Sequence, residues 1–342
     1  MKKILFIATG GTFACIKGKD GLKPKFSIKE FLKFFPEAEK MADIQGKQLF
    51  NLDSTNLSPK HWKEMAQVVY DNYSDYDGFI ISHGTDTMPF SSAALSLALK
   101  DLSKPVVFTG SVFPAENPNS DARKNLLDSI SVVVSNKVKE VCICFHGEII
   151  KGTQARKATN EATKITNEKI GVYSSINCHL TGTVTSGKVI ENQKYFSHNS
   201  HHKKTNLQLH SNFDQDIALI KIFPGQKGEV LKSFTDKKAI IIEAFAVGNI
   251  PFENNDYLEH IKKLTKKGIP VFVTTQNPFG EVDMDMYEVG QKAKRAGAVG
   301  CGNMTTETAL VKLMWILGNF SVQKEEVEEL MLRSFCGEVF GV

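Results

Sequence analysis

Four short polar segments, each following an apolar run, carry the residue types that could do chemistry in this chain. They are Thr9-Gly10-Gly11-Thr12, Asp53-Ser54-Thr55-Asn56, Ser82-His83-Gly84-Thr85-Asp86-Thr87-Met88 and Thr109-Gly110-Ser111. Glycines such as Gly11 and Gly84 permit tight turns and leave backbone N–H groups to face an anion or a developing oxyanion. A threonine hydroxyl beside such donors, Thr12 or Thr85, becomes a nucleophile when a base takes its proton. Asp86 adds a carboxylate able to hold a substrate ammonium. Several other chemistries are absent. Gly10-Gly11 is not GxGxxG, and Asp53 lies about forty residues on, out of register for a dinucleotide ribose. The chain has no GxxxxGK[ST], GxSxG or HExxH.

Taken one at a time, these residues favour plainer readings. Thr-Gly-Gly-Thr alone is more often a structural strand-to-helix turn than a catalytic one. His83, at a buried strand end, reads as a hydrogen-bonded structural histidine rather than a general base. Lys157, in Ala155-Arg156-Lys157-Ala158-Thr159, reads in isolation as a surface lysine. Met314-Trp315 is core at helical spacing. Asn249 and Glu281 sit in turn-like segments and mean little alone.

The elements that must position these segments are strands alternating with helices. Apolar, β-rich runs predict strands at Ile4–Ala8, Leu49–Leu52, Phe79–Ser82, Val106–Thr109, Val141–Phe145, Ile217–Ile222, Ala239–Ala244 and Pro270–Thr274. Helical periodicity predicts helices near 27–35, 59–73, 89–100, 121–135, 256–267, 285–296, 306–317 and 324–334. Ser27-Ile28-Lys29-Glu30 reads as a capping box, Ser58-Pro59 as an N-cap with proline at the first helical position, and Gly318 as a helix-ending glycine. The alternation implies an α/β fold: a larger, doubly wound, mainly parallel N-terminal domain over 1–185 and a smaller C-terminal α/β domain over 213–342. Residues 186–212 are polar and aperiodic and read as a linker or exposed excursion. Its His198, His201 and His202 read as a solvated loop rather than a metal site, since no carboxylate or cysteine lies beside them. In a parallel sheet, ligands bind at the carboxyl ends of the strands, where the four polar segments fall.

Composition narrows the classes further. The 342 residues carry 42 Lys+Arg against 38 Asp+Glu, a net charge of +4, and 42% are hydrophobic. This is an ordinary globular mixture, and disorder is a poor fit. Only Arg123, Arg156, Arg295 and Arg333 are arginines, which argues against a dedicated nucleic-acid binder. No apolar run approaches the roughly 18–20 residues of a membrane span. The basic Met1-Lys2-Lys3 start leads into a short apolar run that reads as a first strand rather than a signal peptide. Six cysteines without CxxC give neither a disulfide framework nor a zinc site, and point to the reducing cytoplasm. Cys142 and Cys144 alternate as same-face residues of a buried strand.

With Thr9-Gly10-Gly11-Thr12 and His83-Gly84-Thr85-Asp86-Thr87-Met88 in this order, the chain resembles the bacterial-type L-asparaginases, cytoplasmic type I branch. Further matches are Asp53-Ser54-Thr55, Val107-Phe108-Thr109-Gly110-Ser111, Ala155-Arg156-Lys157, Val247-Gly248-Asn249 and the Asn303–Leu313 segment. The resemblance thus covers essentially the whole chain. It implies hydrolysis of the asparagine side-chain amide to aspartate and ammonia, with no cofactor and no metal, in homodimers or homotetramers built from intimate dimers. It makes Thr12 the nucleophile of a β-aspartyl acyl-enzyme. Thr85, Asp86 and Lys157 become a second hydroxyl–carboxylate–lysine group, so Lys157 ceases to be a plain surface lysine. Ser54 and Asp86 would grip the substrate's α-carboxylate and α-ammonium, and Asp53, Thr55, Gly84 and Ser111 complete the substrate set. Backbone N–H groups of Gly11 and Thr85 would form the oxyanion hole. Asn249 and Glu281 match positions that reach a neighbouring subunit's site.

Two positions depart from the family pattern. Leu22 stands where the family's mobile loop carries a tyrosine near the nucleophile, and no tyrosine occurs before Tyr70. Asn303 stands where relatives often have aspartate, an exchange that suits a helix N-cap. Two rivals follow. One is the glutaminase subunit of a tRNA-dependent amidotransferase, against which the first catalytic strand beginning at residue 4 counts, because that subunit carries an extra N-terminal domain. The other is a non-catalytic amino-acid-binding regulator, supported by the missing tyrosine. The expected ligand is small, L-asparagine or L-glutamine, with no nucleic acid and no membrane.

Overall fold

The computed structural model describes residues 1–18, 21–24, 33–158, 173–175, 180–192 and 206–339. They form two compact units, Met1–Ser211 and Asn212–Val342. The strands of the first are β1 (Lys3–Gly10), β2 (Cys15–Gly18), β3 (Gly21–Pro24), β4 (Asp43–Leu52), β5 (Gly78–Ser82), β6 (Leu99–Lys100) and β7 (Val106–Thr109). They continue with β8 (Val141–Phe145), β9 (Glu148–Lys151), β10 (Ala155–Lys157), β11 (Tyr173–Ser175), β12 (Leu180–Thr185), β13 (Lys188–Glu191) and β14 (Gln208–Leu209).

Eight of these strands make one sheet in the order β13-β12-β9-β8-β7-β5-β1-β4. From β8 to β4 every pairing is parallel, and β9, β12 and β13 continue it antiparallel. The central strands β5, β7 and β8 are buried along their whole length, as strands covered on both faces must be. Helices Met88–Ala98 and Ala122–Ser135 supply much of that cover, and Phe6, Ile80, Val107, Leu126, Ile130 and Cys142 share one core. Between β1 and β5 the order of the chain reverses, since among the strands of this sheet β1 is followed by its neighbour on one side, β4, and then by β5 on its other side. That reversal is the topological switch point, where α/β sheets open a crevice beyond the strand ends.

The second unit holds β15 (Ile217–Lys221), β16 (Ala239–Ala244), β17 (Val271–Thr275) and β18 (Ala298–Gly300), paired in that order and all parallel. Helices Tyr257–Lys266, Glu288–Arg295, Thr306–Asn319 and Lys324–Leu332 accompany them. Trp315 is core, as its spacing predicts, and packs edge-on against Phe320 and Phe335.

Several expectations change. Ser186 and Gly187, both at positive φ, form a two-residue hairpin turn, so Lys188–Glu191 is a strand of the large sheet rather than the start of a linker. Farther on, Gln208–Leu209 pairs with Leu99–Lys100. His198, His201 and His202 lie outside the described residues, as do Ser27–Glu30 and most of the helix predicted over 27–35. Gly318 is helical rather than a C-terminal stop, because the helix runs on to Asn319. A Cβ on Gly318 would lie 2.6 Å from the Asn212 carbonyl oxygen, so close backbone approach explains the glycine. The Ser58 cap forms as predicted, with its N–H donating to His61 Nδ1 at 3.0 Å.

Candidate active site

The carboxyl ends of β7, β5, β1 and β4 stand side by side, and each carries one of the four polar segments. Glycine packs their backbones together. Gly11 has φ +77°, and a Cβ on it would lie 2.5 Å from the Gly84 nitrogen. A Cβ on Gly84 would meet Ser54 Oγ at 2.5 Å, and one on Gly110 the His83 carbonyl oxygen at 2.5 Å. The two strands that flank the switch point therefore deliver Thr12 and Thr85 from touching turns. Thr12 opens a short 3-10 turn, half-buried, and the next residue, Phe13, is buried and stacked on Phe6. Burying that ring anchors the turn and with it the Thr12 side chain.

Thr85, Asp86 and Lys157 come together. Lys157 Nζ donates to Thr85 Oγ1 at 2.9 Å and to Asp86 Oδ1 at 2.5 Å. The lysine side chain is 18% exposed and that of Asp86 55%, so the ammonium sits inside while the carboxylate reaches solvent. Lys157 is carried by β10, which pairs with β11. Leu22 lies in β3, opposite Lys17 of β2.

Other hydroxyls at this edge are structural. Thr9 Oγ1 donates to the Ser82 carbonyl at 2.7 Å, Thr109 Oγ1 to that of Cys144 at 3.0 Å, and Thr87 Oγ1 to that of Ser54 at 2.8 Å. Asp53 accepts from both the N–H and the hydroxyl of Thr55, bonds that hold its carboxyl below the usual range against the opposing effect of burial. The two residues cap the turn that presents buried Ser54. The Gly11 N–H, expected as an oxyanion donor, instead donates to the Leu52 carbonyl at 3.2 Å, because β4 runs directly alongside.

His83 is fully buried, with Nδ1 2.7 Å from the Gly84 carbonyl and Nε2 2.8 Å from Ser91 Oγ. A carbonyl only accepts, so Nδ1 carries the proton and Nε2 accepts from the serine. Burial pushes its pKa down to about 4, opposed by the Gly84 hydrogen bond. The imidazole is neutral and structural, in line with the sequence reading.

Ser111 is 1% exposed and its hydroxyl has no hydrogen-bond partner among the described residues. Asp121 and Asn125, which sequence reasoning passed over, hold the turn that carries it. The available signal was an Asp–Asn pair four residues apart at the start of the next helix, Asp121 and Asn125. Asn249 and Glu281 lie in the second unit. The Asn249 side chain has a buried Oδ1 without a partner among the described residues, and Glu281 is exposed. Among the described residues no group of three or more His, Cys, Asp or Glu side chains is arranged to hold a metal.

Comparison with known proteins identifies the family. The family model described as "Asparaginase, N-terminal" matches residues 3–195, and "Glutaminase/Asparaginase C-terminal domain" matches residues 216–331. The chain belongs to the asparaginase/glutaminase family. Within it, the chain is 34% identical over 344 residues to a glutamyl-tRNA(Gln) amidotransferase subunit from Pyrococcus horikoshii, covering 98% of this chain and 76% of that protein. It is 33% identical to an L-asparaginase from Thermococcus kodakarensis, with 99% of each chain covered. The solved structure of the thermostable L-asparaginase from Thermococcus kodakarensis superposes with a TM-score of 0.88 at 31% identity, covering 99% of this chain and 100% of that one. L-asparaginase I from Vibrio cholerae follows at a TM-score of 0.85 and 28% identity, with 99% of each chain covered. The protein is therefore an amidohydrolase of this family. Among the described residues no helix is long and apolar enough to cross a membrane.

Proposed function

We propose that the protein is an L-asparagine amidohydrolase, a cytoplasmic homo-oligomer that needs no cofactor. Thr12 is the nucleophile. Its Oγ1 bonds to the side-chain amide carbon, the C–N bond breaks, and the nitrogen leaves as ammonia with the proton that the hydroxyl lost. Water then adds to the β-aspartyl ester, the Oγ1–C bond breaks, and Thr12 recovers a proton as aspartate departs. The observation that carries this reading is the Lys157 ammonium donating to Thr85 Oγ1 at 2.9 Å, beside the turn that bears Thr12. A hydroxyl held by a half-buried cation is set up to pass a proton between water, leaving group and carboxylate. With Leu22 where a tyrosine is usual, that group serves as the proton relay. Ser54, Gly84 and Ser111 line the substrate's side of the crevice, Asp86 takes its ammonium, and Asn249 and Glu281 serve a neighbouring subunit's site.

Ammonia release from L-asparagine and L-glutamine tests the reading, with wild type, Thr12→Ala and Thr85→Ala side by side. Asparagine turnover that is lost in both variants while their folds survive supports it. A folded wild-type protein without turnover, whose melting temperature rises with asparagine, overturns it in favour of an amino-acid-binding regulator. The 34% identity to an amidotransferase subunit supports a second reading, a glutaminase that works within such a complex. Glutamine hydrolysis that exceeds asparagine hydrolysis would select it.

A further inference from the structure

The turn after β7 is held by a bracket of side chains that the reaction itself does not use. Asn125 Nδ2 donates to the Gly110 carbonyl at 2.9 Å and to Asp121 Oδ2 at 2.9 Å, while its Oδ1 accepts the His146 N–H at 2.9 Å. Asp121 accepts the N–H of Val112 at 3.0 Å and that of Phe113 at 3.1 Å. Ser120 Oγ closes the loop onto the Phe113 carbonyl at 2.9 Å. The side chains that build this bracket are all hydrogen-bonded, yet the Ser111 hydroxyl, as buried as Asn125, has no partner among the described residues.

A buried hydroxyl left without a hydrogen bond is unfavourable, and alanine would fill the same space without that cost. Packing therefore gives no reason for a serine. Gly110 touches the His83 backbone one residue before Gly84, so Ser111 begins beside the turn that carries Thr85 and Asp86. Asn125 and Asp121 sit at the start of the helix Ala122–Ser135, a rigid element from which to fix that position.

We propose that Asp121 and Asn125 are positioning residues that hold Ser111 against the polar end of the substrate's side-chain amide, whose binding supplies the missing hydrogen bond. This deepens the amidohydrolase reading and rests on it. The test is a double-mutant cycle on kcat/KM for asparagine, using Ser111→Ala, Asn125→Ala and the double variant, with melting temperatures recorded for each. The expected result is a loss of about tenfold or more in each single variant, seen mainly in KM, with the double variant no worse than the poorer single. Asp121→Asn keeps an acceptor for the Val112 and Phe113 N–H groups and removes the one for Asn125, so it gives a milder loss along the same line should Asn125→Ala fail to fold. Unchanged kcat/KM in Ser111→Ala, or losses that multiply in the double variant, would overturn the proposal and leave the bracket purely structural. If wild type hydrolyses neither amide, the amidohydrolase reading fails by itself. The same four proteins are then compared by calorimetry for L-aspartate affinity, and additive losses or no binding overturn the bracket's role.

Discussion

Lys157 Nζ lies 2.9 Å from the hydroxyl of Thr85, a residue 72 positions earlier in the chain. The contact links the turn after β5 to β10, a strand outside the large sheet, so a lysine that reads as surface in isolation is drawn inside. Lys157→Met keeps the aliphatic stem and removes the ammonium. It is expected to lower kcat for asparagine by about 10²–10⁴-fold with KM changed far less. Because Asp86 is 55% exposed, loss of the ion pair costs only about 1 kcal/mol or less of stability. Steady-state kinetics with a thermal melt on the same sample checks both halves.

Gly11→Ala combines two penalties. The backbone has φ +77°, and the new Cβ would fall 2.5 Å from the Gly84 nitrogen, a main-chain atom that no rotamer change can move. A loss of at least about 2 kcal/mol is expected, together with turnover, because the turn that presents Thr12 must shift. Gly187 is the control, since its φ is +73° but nothing lies within 4 Å. Gly187→Ala should cost about 1 kcal/mol and leave activity intact, as chemical denaturation would measure.

His83 makes stability depend on pH in a stated direction. Its pKa falls from 6.5 to about 4 on folding, mainly through burial. The unfolded chain therefore binds the proton more readily, and stability rises with pH across that window. The contribution is whole above the unfolded value and drains away as pH falls from about 6.5 toward 4, amounting to about 3 kcal/mol. His83→Gln has no imidazole to titrate. Urea unfolding at pH 7 and pH 4.5 should show a smaller difference for the variant than for wild type, even though the variant is less stable at pH 7.

In the second unit, Lys312 and Glu338 form a fully buried ion pair at 2.7 Å. Lys312 also donates to the carbonyls of Met331 and Arg333, and Glu338 accepts the N–H groups of Phe335 and Cys336. Burial works to raise the Glu338 carboxyl, but Lys312 and the backbone N–H groups of Cys336 and Glu338 itself outweigh it and hold the carboxyl below its usual range. Lys312→Met leaves that carboxylate buried without its cation and should cost about 3–5 kcal/mol. Adding Glu338→Gln removes the stranded charge, so the double variant should recover part of the loss. A double variant as unstable as the summed singles would contradict this coupling.

Much of the fold is legible without coordinates. Val106–Thr109, Val141–Phe145 and Ala239–Ala244 are strands at the bounds that their apolar runs predict, because a parallel strand buried on both faces is one unbroken apolar run. The crevice is legible for the same reason, since polar residues that end such runs must collect at the carboxyl edge of the sheet. What escaped were elements and contacts whose signal is not local. The β8–β9 and β12–β13 hairpins turn on His146-Gly147 and Ser186-Gly187, pairs that become turns only where the returning strand finds a sheet edge to pair with.

The sequence by itself determined which side chains are present for chemistry and, through periodicity, which strand each one follows. Tertiary structure alone decided which of them meet. It brought Lys157 to Thr85, gave the Gly11 N–H to Leu52, and left Ser111 buried with its hydroxyl unpaired among the described residues. The physical reason is range: backbone preference and hydrophobic period act over a few residues, whereas a hydrogen bond forms between whichever groups packing brings within about 3 Å.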